Sequence, residues 1–178
     1  MLFTPLPLSG AFLVAPERHQ DSRGWFARTF CQDEFAAHGL ASSFVQCNAS
    51  FNAIRGTLRG MHFQRPPHEE IKLVRCTRGA VLDVLLDLRP RSASFCRWHA
   101  VEITADNGLA VYIPAGMAHG FQTLADDSEV FYQMAEFYHP ESAVGVRWDD
   151  PAFGIEWPIR PPILSERDAA YDDFRTSI

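Results

Sequence analysis

Short runs rich in apolar and β-branched residues fill most of the chain, and Pro, Gly, Asn or Asp residues separate them. Runs of this length, bounded by turn residues, are typical of the strands of a barrel or sandwich. The pattern predicts nine strands, at residues 25–30, 44–48, 57–64, 71–76, 80–88, 97–104, 109–113, 119–124 and 129–137. The sequence therefore predicts an all-β fold with few and short helices.

Turn residues separate neighbouring strands at 77–79, 105–108 and 126–127, so we expect consecutive strands to run antiparallel. Helices are predicted at 33–38 and near the C-terminus, where Ser165 is a suitable N-cap. The four prolines of residues 148–164 indicate an extended strap over the surface rather than a linker. A length of 178 residues then favours one domain over 1–178, with the strap and a short helix at 148–178.

The charge and hydrophobicity of the chain indicate which binding partners are not expected. The chain has 16 Lys and Arg residues against 22 Asp and Glu residues, a formal net charge of −6, and no clustered basic stripe. Nucleic acid is therefore not expected as a partner. No apolar run approaches the length of a membrane span, and the N-terminus lacks the features of a signal peptide, so we expect a cytoplasmic protein without membrane contact.

Two segments carry candidate chemistry. Residues 108–119 have the spacing G-x5-P-x-G-x2-H, which resembles the second motif of the cupin superfamily. Upstream, His62 opens an H-x-Q sequence, so Gln64 stands where a metal-binding cupin has its second histidine. A zinc or iron site would have to use His62, His119 and His68, since imidazole suits both metals. Because no acidic ligand is evident, we expect neither a bound metal nor another cofactor.

A cavity inside such a barrel suits acid–base chemistry on an organic ligand. His62, Lys72 and Tyr132 lie on three predicted strands, and Lys72 is the only lysine of the chain. Proton abstraction next to a carbonyl needs a base, a cation that stabilises the enolate oxygen, and an acid that returns the proton. The three side chains supply these functions.

The sequence resembles the dTDP-4-dehydrorhamnose 3,5-epimerase family of metal-free cupins. The stretches that carry the resemblance are DSRGWF at 21–26, QCNAS at 46–50, LRGMHFQ at 58–64, KLVRC at 72–76, DVLLDLR at 83–89 and IPAGMAHGF at 113–121. Further matches are Tyr132, Tyr138 and residues 149–151, 154–158 and 164–168. The resemblance implies a cupin jelly-roll barrel, a double-stranded β-helix, and a homodimer whose N-terminal strands cross to the partner.

The resemblance also implies a catalytic set. His62 would remove protons alpha to a C4 keto group, and Asp168 would orient its imidazole. Lys72 would hold the enolate oxygen, and Tyr132 would return the proton from the opposite face of the sugar.

A second set of residues would bind the substrate. Arg23 and Arg59 would contact the diphosphate, with Arg167 as a further candidate. Phe26, Gln46 and Asn48 would surround the nucleotide base, and His119 and Tyr138 would line the sugar end. In the homodimer, Arg23 and Phe26 would act on the partner's site.

Strict alternation places Arg59 and His62 on opposite faces of one strand. If both line one cavity, the strand must contain a bulge, and Gly60 between them is the residue that would allow it.

The function implied is a nucleotide-sugar epimerase that inverts C3, C5 or both centres of a dTDP-4-keto-6-deoxyhexose in deoxysugar biosynthesis. Two alternatives stay open at this point. One is a metal-dependent cupin enzyme, either a dioxygenase or an isomerase, and the other is a non-catalytic cupin that binds a sugar nucleotide.

Overall fold

The computed structural model describes residues 1–175, and strands dominate this part of the chain. Two short helices, α1 (Gln32–Ala37) and α2 (Glu166–Ala169), accompany the strands. The strands are β1 (Leu2–Pro5), β2 (Phe12–Ala15), β3 (His19–Asp21), β4 (Gly24–Phe26), β5 (Gln46–Asn52), β6 (Leu58–Gln64), β7 (Lys72–Arg78), β8 (Ala80–Asp87), β9 (Trp98–Thr104), β10 (Ala110–Ile113), β11 (Met117–Thr123), β12 (Ser128–Met134) and β13 (Ala143–Gly145).

Two antiparallel sheets face each other. One has the order β1-β2-β10-β7-β12-β5 and the other the order β13-β6-β11-β8-β9, while β3 and β4 form a separate hairpin. From β6 to β12 the chain mostly alternates between the two sheets, as in a double-stranded β-helix. The predicted all-β jelly-roll barrel is therefore confirmed.

The three predicted turns have a different role from the one expected. They connect β7 to β8, β9 to β10 and β11 to β12, and each of these pairs is divided between the two large sheets. The turns are therefore corners of the barrel rather than hairpin turns. Gly, Asn and Asp specify that the chain reverses, but the two apolar faces that must be buried against each other decide which strands pair.

Apolar side chains pack on both sides of the five-stranded sheet. The inner cluster, between the sheets, includes Val74, Leu85, Val111 and Val130. On the outer side, residues 148–164 cover Leu58, Val84 and Leu86 with side chains that include Phe153, Ile155 and Trp157. The predicted strap is thus confirmed as a packed element, and it leads directly to α2.

Local predictions differ mainly at the edges. The structure adds the short strands β1, β2, β3 and β13, and it ends the predicted strand 25–30 at Phe26. Phe30 instead packs against Phe35 of α1 with 5.1 Å between ring centroids. The predicted cap of α2 is confirmed, because the Ser165 side chain accepts a hydrogen bond from the Asp168 backbone N–H.

The bulge in β6 is also confirmed. His119 of β11 lies opposite His62, whereas Phe121, two residues later, lies opposite Arg59, three residues earlier, so β6 contains one extra residue. Gly60 sits in this irregularity with a φ of +142°. A Cβ at Gly60 would lie 2.5 Å from the Cα of Gly120, so only glycine fits between the two strands.

We expect Gly60→Ala to lower the free energy of unfolding by more than the about 1–2 kcal/mol that a left-handed backbone costs an alanine. The added loss comes from the clash with Gly120. Urea unfolding measures it, with Gly154→Ala as the matched control, because Gly154 also has a positive φ but open space around its Cβ position. Equal losses in the two variants would show that the close contact in the bulge is unimportant.

Candidate active site

A cavity of about 610 Å³ opens between the two large sheets. Nine of the twelve predicted site residues line it: Gln46, Asn48, Arg59, His62, Lys72, His119, Tyr132, Tyr138 and Arg167. A volume of this size is in the usual range for small-molecule sites. Seven of the nine come from strands of both sheets, so a bound molecule would lie between the sheets. Tyr138 lies in the loop after β12, and Arg167 lies on α2.

His62 and Asp168 form the central polar pair of the site. The His62 Nε2 lies 2.7 Å from Oδ1 of Asp168, and the His62 ring is partly exposed in the cavity while the carboxylate is buried. A carboxylate accepts hydrogen bonds, so it favours the tautomer with the proton on Nε2. Nδ1 then carries the lone pair that can take a proton from a ligand.

Several donors hold Asp168 in its charged form. Burial alone would raise the pKa of this carboxyl, but the hydrogen bonds from His62, the Gly60 backbone N–H and Ser165 outweigh it and lower the pKa. The bulge contributes directly here, since Gly60 N–H lies 3.3 Å from Oδ2. The site therefore holds an ionised carboxylate that orients the imidazole.

Lys72 is paired with a residue that the sequence did not reveal. Its Nζ lies 2.8 Å from Oε1 of Glu70, and both side chains are buried. Nζ also donates to the His62 carbonyl oxygen at 3.2 Å, and Glu70 accepts from the Gln64 backbone N–H. These contacts fix the ammonium group at the cavity wall, close to the strand that carries His62.

Tyr132 reaches the cavity from β12, in the sheet opposite the one that carries His62. Burial raises the pKa of its phenol, and the nearby charge of Arg59 offsets only part of this effect. The hydroxyl is therefore protonated at neutral pH and can donate a proton.

A second histidine–carboxylate pair lies in the same cavity. The His119 Nε2 is 2.7 Å from Oδ1 of Asp83, and Asp83 is completely buried. The pairing resembles that of His62 with Asp168, but the His119 ring is far less exposed, at 10% against 40%. His119 is thus a fixed wall of the cavity next to the more accessible His62.

Polar contacts also position the predicted binding residues. Arg59 donates from Nε to the Asn52 side chain at 2.7 Å, which directs its guanidinium along the cavity wall. The Gln46 side chain accepts from the Tyr138 backbone N–H at 3.0 Å. Arg167 donates to the Ala143 carbonyl oxygen at 3.2 Å, and hydrogen bonding with Tyr138 raises the pKa of Arg167.

Arg23 and Phe26 do not reach this cavity in their own chain. They lie on the β3–β4 hairpin, where Arg23 pairs with Asp21 at 2.6 Å and its side chain is 88% exposed. Phe26 is 73% exposed and Trp25 50% exposed, which is unusual for two adjacent aromatic residues. The single chain therefore brings together ten of the twelve predicted residues, counting Asp168 behind His62, and leaves these two outside.

Gln64 stands where a metal-binding cupin has its second histidine. Here its side chain joins two loops by hydrogen bonds. Its buried side chain donates to the carbonyl oxygens of His68 and Phe137 and accepts from the His139 backbone N–H at 2.6 Å. His68 stacks on His139 instead of joining His62 and His119. The three histidines of the metal alternative are therefore not assembled into one ligand set.

Sequence reasoning missed the partners Glu70, Asp83 and Asn52. Glu70 lies two residues before Lys72, and Asp83 is a charged residue with apolar neighbours on both sides along its strand. Both features indicate a buried charge that needs a partner. Nothing in the sequence pairs Asn52 with Arg59, because their contact depends on the path of β5 and β6.

The comparisons with known proteins agree with this geometry. A family model described as dTDP-4-dehydrorhamnose 3,5-epimerase matches residues 5–176. A dTDP-4-dehydrorhamnose 3,5-epimerase of Methanothermobacter thermautotrophicus is 42% identical over 176 residues, which cover 97% of this chain and 94% of that protein.

Solved structures show the same fold. The dTDP-4-dehydrorhamnose 3,5-epimerase of Bacillus anthracis, with TDP and PPi bound, has a TM-score of 0.94 and 36% identity, covering 97% of this chain and 99% of that chain. ChmJ, a 3'-monoepimerase from Streptomyces bikiniensis in complex with dTDP-quinovose, has a TM-score of 0.88 and 36% identity, covering 95% of this chain and 86% of that chain.

The two facing sheets make the chain a cupin, and the polar pairs in its cavity suit proton transfer to and from a bound organic molecule. The comparisons then give the family. The chain belongs to the dTDP-4-dehydrorhamnose 3,5-epimerase family and is a carbohydrate epimerase, an isomerase. Within residues 1–175, helices are too short to cross a bilayer.

The lowered pKa of Asp168 predicts a pH-dependent contribution to stability. An unfolded Asp titrates at about 3.9. Below that value the unfolded chain binds more protons than the folded one, so stability rises with pH through this range. We therefore expect the wild type to gain free energy of unfolding relative to Asp168→Asn as the pH rises from 2 to 5.

Urea unfolding across this pH range measures the gain. Asp172→Asn is the control, because this carboxylate is exposed near the C-terminus. A constant difference between the wild type and Asp168→Asn would contradict the assigned pairing.

Proposed function

We propose that the protein inverts C3, C5 or both centres of a dTDP-4-keto-6-deoxyhexose in deoxysugar biosynthesis. The observation that carries the proposal is the position of His62, which lies on one sheet and is paired with Asp168 of α2, opposite Tyr132 on the other sheet, with the Lys72 ammonium group fixed nearby. This arrangement provides a base, an acid and a cation around one cavity.

The ligands bound to two relatives support a dTDP-sugar as the substrate. The Bacillus anthracis structure holds TDP, and the Streptomyces bikiniensis structure holds dTDP-quinovose. The first is named a 3,5-epimerase and the second a 3'-monoepimerase, so the shared fold serves both inversion at two centres and inversion at one. The proposal therefore commits to the dTDP-sugar class and to the chemistry at carbons next to the keto group.

Proton removal begins at His62. Nδ1 takes the proton from the carbon alpha to the C4 keto group, and the imidazolium that forms is stabilised by the Asp168 carboxylate. The electron pair of the broken C–H bond moves to the keto oxygen and gives an enolate. Lys72 stabilises this oxygen, and a fixed cation in a cavity with little water is an effective way to do so.

Reprotonation comes from the other sheet. A sugar ring lying between the sheets has His62 on one face and Tyr132 on the other. The Tyr132 hydroxyl gives its proton to the same carbon from the opposite face, which inverts the centre. The raised pKa of Tyr132 keeps this proton available at neutral pH.

The remaining polar residues would bind the rest of the substrate. Arg59 contacts the diphosphate, since its Nε is held by Asn52 and its terminal nitrogens suit phosphate oxygens. Arg167 assists it, Gln46 and Asn48 contact the nucleotide base, and His119 and Tyr138 line the sugar end. None of these steps uses a metal ion or another cofactor.

Arg23 and Phe26 complete the site in a homodimer under this proposal. Their exposure on the β3–β4 hairpin supports a position against a second chain, because the single chain leaves adjacent aromatic residues in solvent. Arg23 would then add a second guanidinium to the partner's diphosphate site.

His62→Ala should abolish both exchange of solvent deuterium into the substrate and inversion, with a loss of about 10²–10⁴-fold in rate. Tyr132→Phe should retain exchange but impair inversion, because it removes the acid and leaves the base. Proton NMR of dTDP-4-keto-6-deoxyglucose in D₂O with EDTA follows exchange at C3 and C5, and product analysis follows inversion.

His99→Ala and Tyr112→Phe are the matched controls, since both residues lie outside the cavity lining. They should exchange and invert as the wild type does. Exchange at wild-type rate in His62→Ala would overturn the role of His62. Binding without exchange in the wild type would favour the non-catalytic alternative, and exchange that EDTA abolishes would favour a metal-dependent enzyme.

The dimer proposal predicts complementation between two weak variants. Arg23→Ala should lose about 10–100-fold in kcat/KM, as expected for a charge-assisted phosphate contact. Co-refolding Arg23→Ala with His62→Ala yields mixed dimers with one complete site, because the first variant supplies His62 and the second supplies Arg23. A random mixture should recover about one quarter of wild-type activity.

Activity no higher than that of the separate variants, in a mixture shown by mass spectrometry to contain heterodimers, would place Arg23 outside the partner's site. Sedimentation velocity on the wild type tests the dimer itself.

A further inference from the structure

A cluster of metal-ligating side chains lies beside the cavity and is not used by the proposed reaction. His68, Glu136 and His139 each offer one ligand atom, and these three atoms all lie within 4.8 Å of one another. None of the three lines the cavity. We propose that this cluster binds a divalent transition metal of the zinc class, independently of catalysis.

The ligand spacing fits such an ion. Nε2 of His139 lies 3.8 Å from Oε1 of Glu136, which is too long for a hydrogen bond. Two ligands of a tetrahedral zinc ion, at about 2.0–2.2 Å from the metal, lie about 3.4 Å apart. The pair therefore has to close by only a few tenths of an ångström around an ion.

His139 also has the outer partner that metal-binding histidines commonly have. Its Nδ1 lies 3.2 Å from Oε1 of Glu141. A carboxylate that accepts the proton of one ring nitrogen directs the lone pair of the other nitrogen at the metal and increases its basicity. Glu141 thus selects Nε2, the nitrogen that faces Glu136, as the ligand atom.

The loops that carry the two histidines are held together in advance. The buried Gln64 side chain donates to the His68 carbonyl oxygen at 2.8 Å and accepts from the His139 N–H at 2.6 Å. The two imidazole rings stack at 3.5 Å and 10°. The loops therefore hold the two side chains within reach of one ion. The rings must turn out of this stack to bind it, because an imidazole lone pair lies in the plane of its ring.

The types of ligand atom also indicate which metal ions would bind. Two imidazole nitrogens and one carboxylate oxygen suit Zn²⁺, Ni²⁺ or Co²⁺ rather than Mg²⁺ or Ca²⁺, which prefer oxygen ligands. Water would complete the coordination, since the three side chains are only partly buried. Binding would join the loop at 65–71 to the loop at 135–141, which carries Tyr138 into the cavity lining.

Isothermal titration of Zn²⁺ into untagged, EDTA-treated and dialysed protein tests the proposal. We expect one saturable site per chain in the wild type. His139→Ala and His68→Ala should remove it, and Glu141→Gln should weaken it by about 10–100-fold, as for outer partners of metal ligands. Zn²⁺ should raise the Tm of the wild type but not that of His139→Ala.

His19→Ala and Cys47→Ser are the matched controls, since both side chains are exposed and distant in sequence from the cluster. Both should bind as the wild type does. Absence of a saturable site, or a site that survives His139→Ala and disappears with a control substitution, would overturn the proposal. The result does not depend on epimerase activity, because no readout uses the substrate.

Discussion

The hydrogen bond between His62 and Asp168 joins β6 of the five-stranded sheet to α2, across 106 residues of sequence. Several elements around the site hold this hydrogen bond in place. The strap packs on the outer face of the sheet and brings the chain back to β6. Ser165 caps the short helix that carries Asp168. The bulge directs the Gly60 N–H at the same carboxylate. These contacts hold His62 in the orientation that the proposed base requires.

Paired polar side chains are the second constraint on the cavity. Lys72 with Glu70 and His119 with Asp83 are buried, and an isolated ion such as the Lys72 ammonium group would cost several kcal/mol at this depth. Pairing offsets part of that cost and fixes the side chains before a ligand arrives. Catalysis by fixed dipoles and charges depends on such prior orientation, because no reorganisation is then needed during the reaction.

Much of this could be predicted from the sequence, and the limits have physical causes. The strands β6 to β12 are mostly seven or eight residues long and have a strong apolar pattern, and the shorter β10 is completely apolar and buried. By contrast, β1, β3 and β13 have three or four residues with little burial, which is too little for a period to be recognised. Alternation, together with the roles that the resemblance implies for Arg59 and His62, indicated a bulge at Gly60. Asp83 escaped because a buried carboxylate is recognised by its partner, and its partner His119 lies on another strand. Glu70 escaped although it lies only two residues before Lys72, because the spacing alone does not show that the two side chains are buried together.

The most direct test of the central claim is a crystal structure of the protein with a dTDP-sugar in the cavity. We expect the hexose ring to lie between the sheets, with His62 Nδ1 facing C3 or C5 on one side, the Tyr132 hydroxyl on the opposite side and the Lys72 Nζ at the oxygen on C4. A hexose with His62 and Tyr132 on the same face, or one bound outside the cavity, would contradict it.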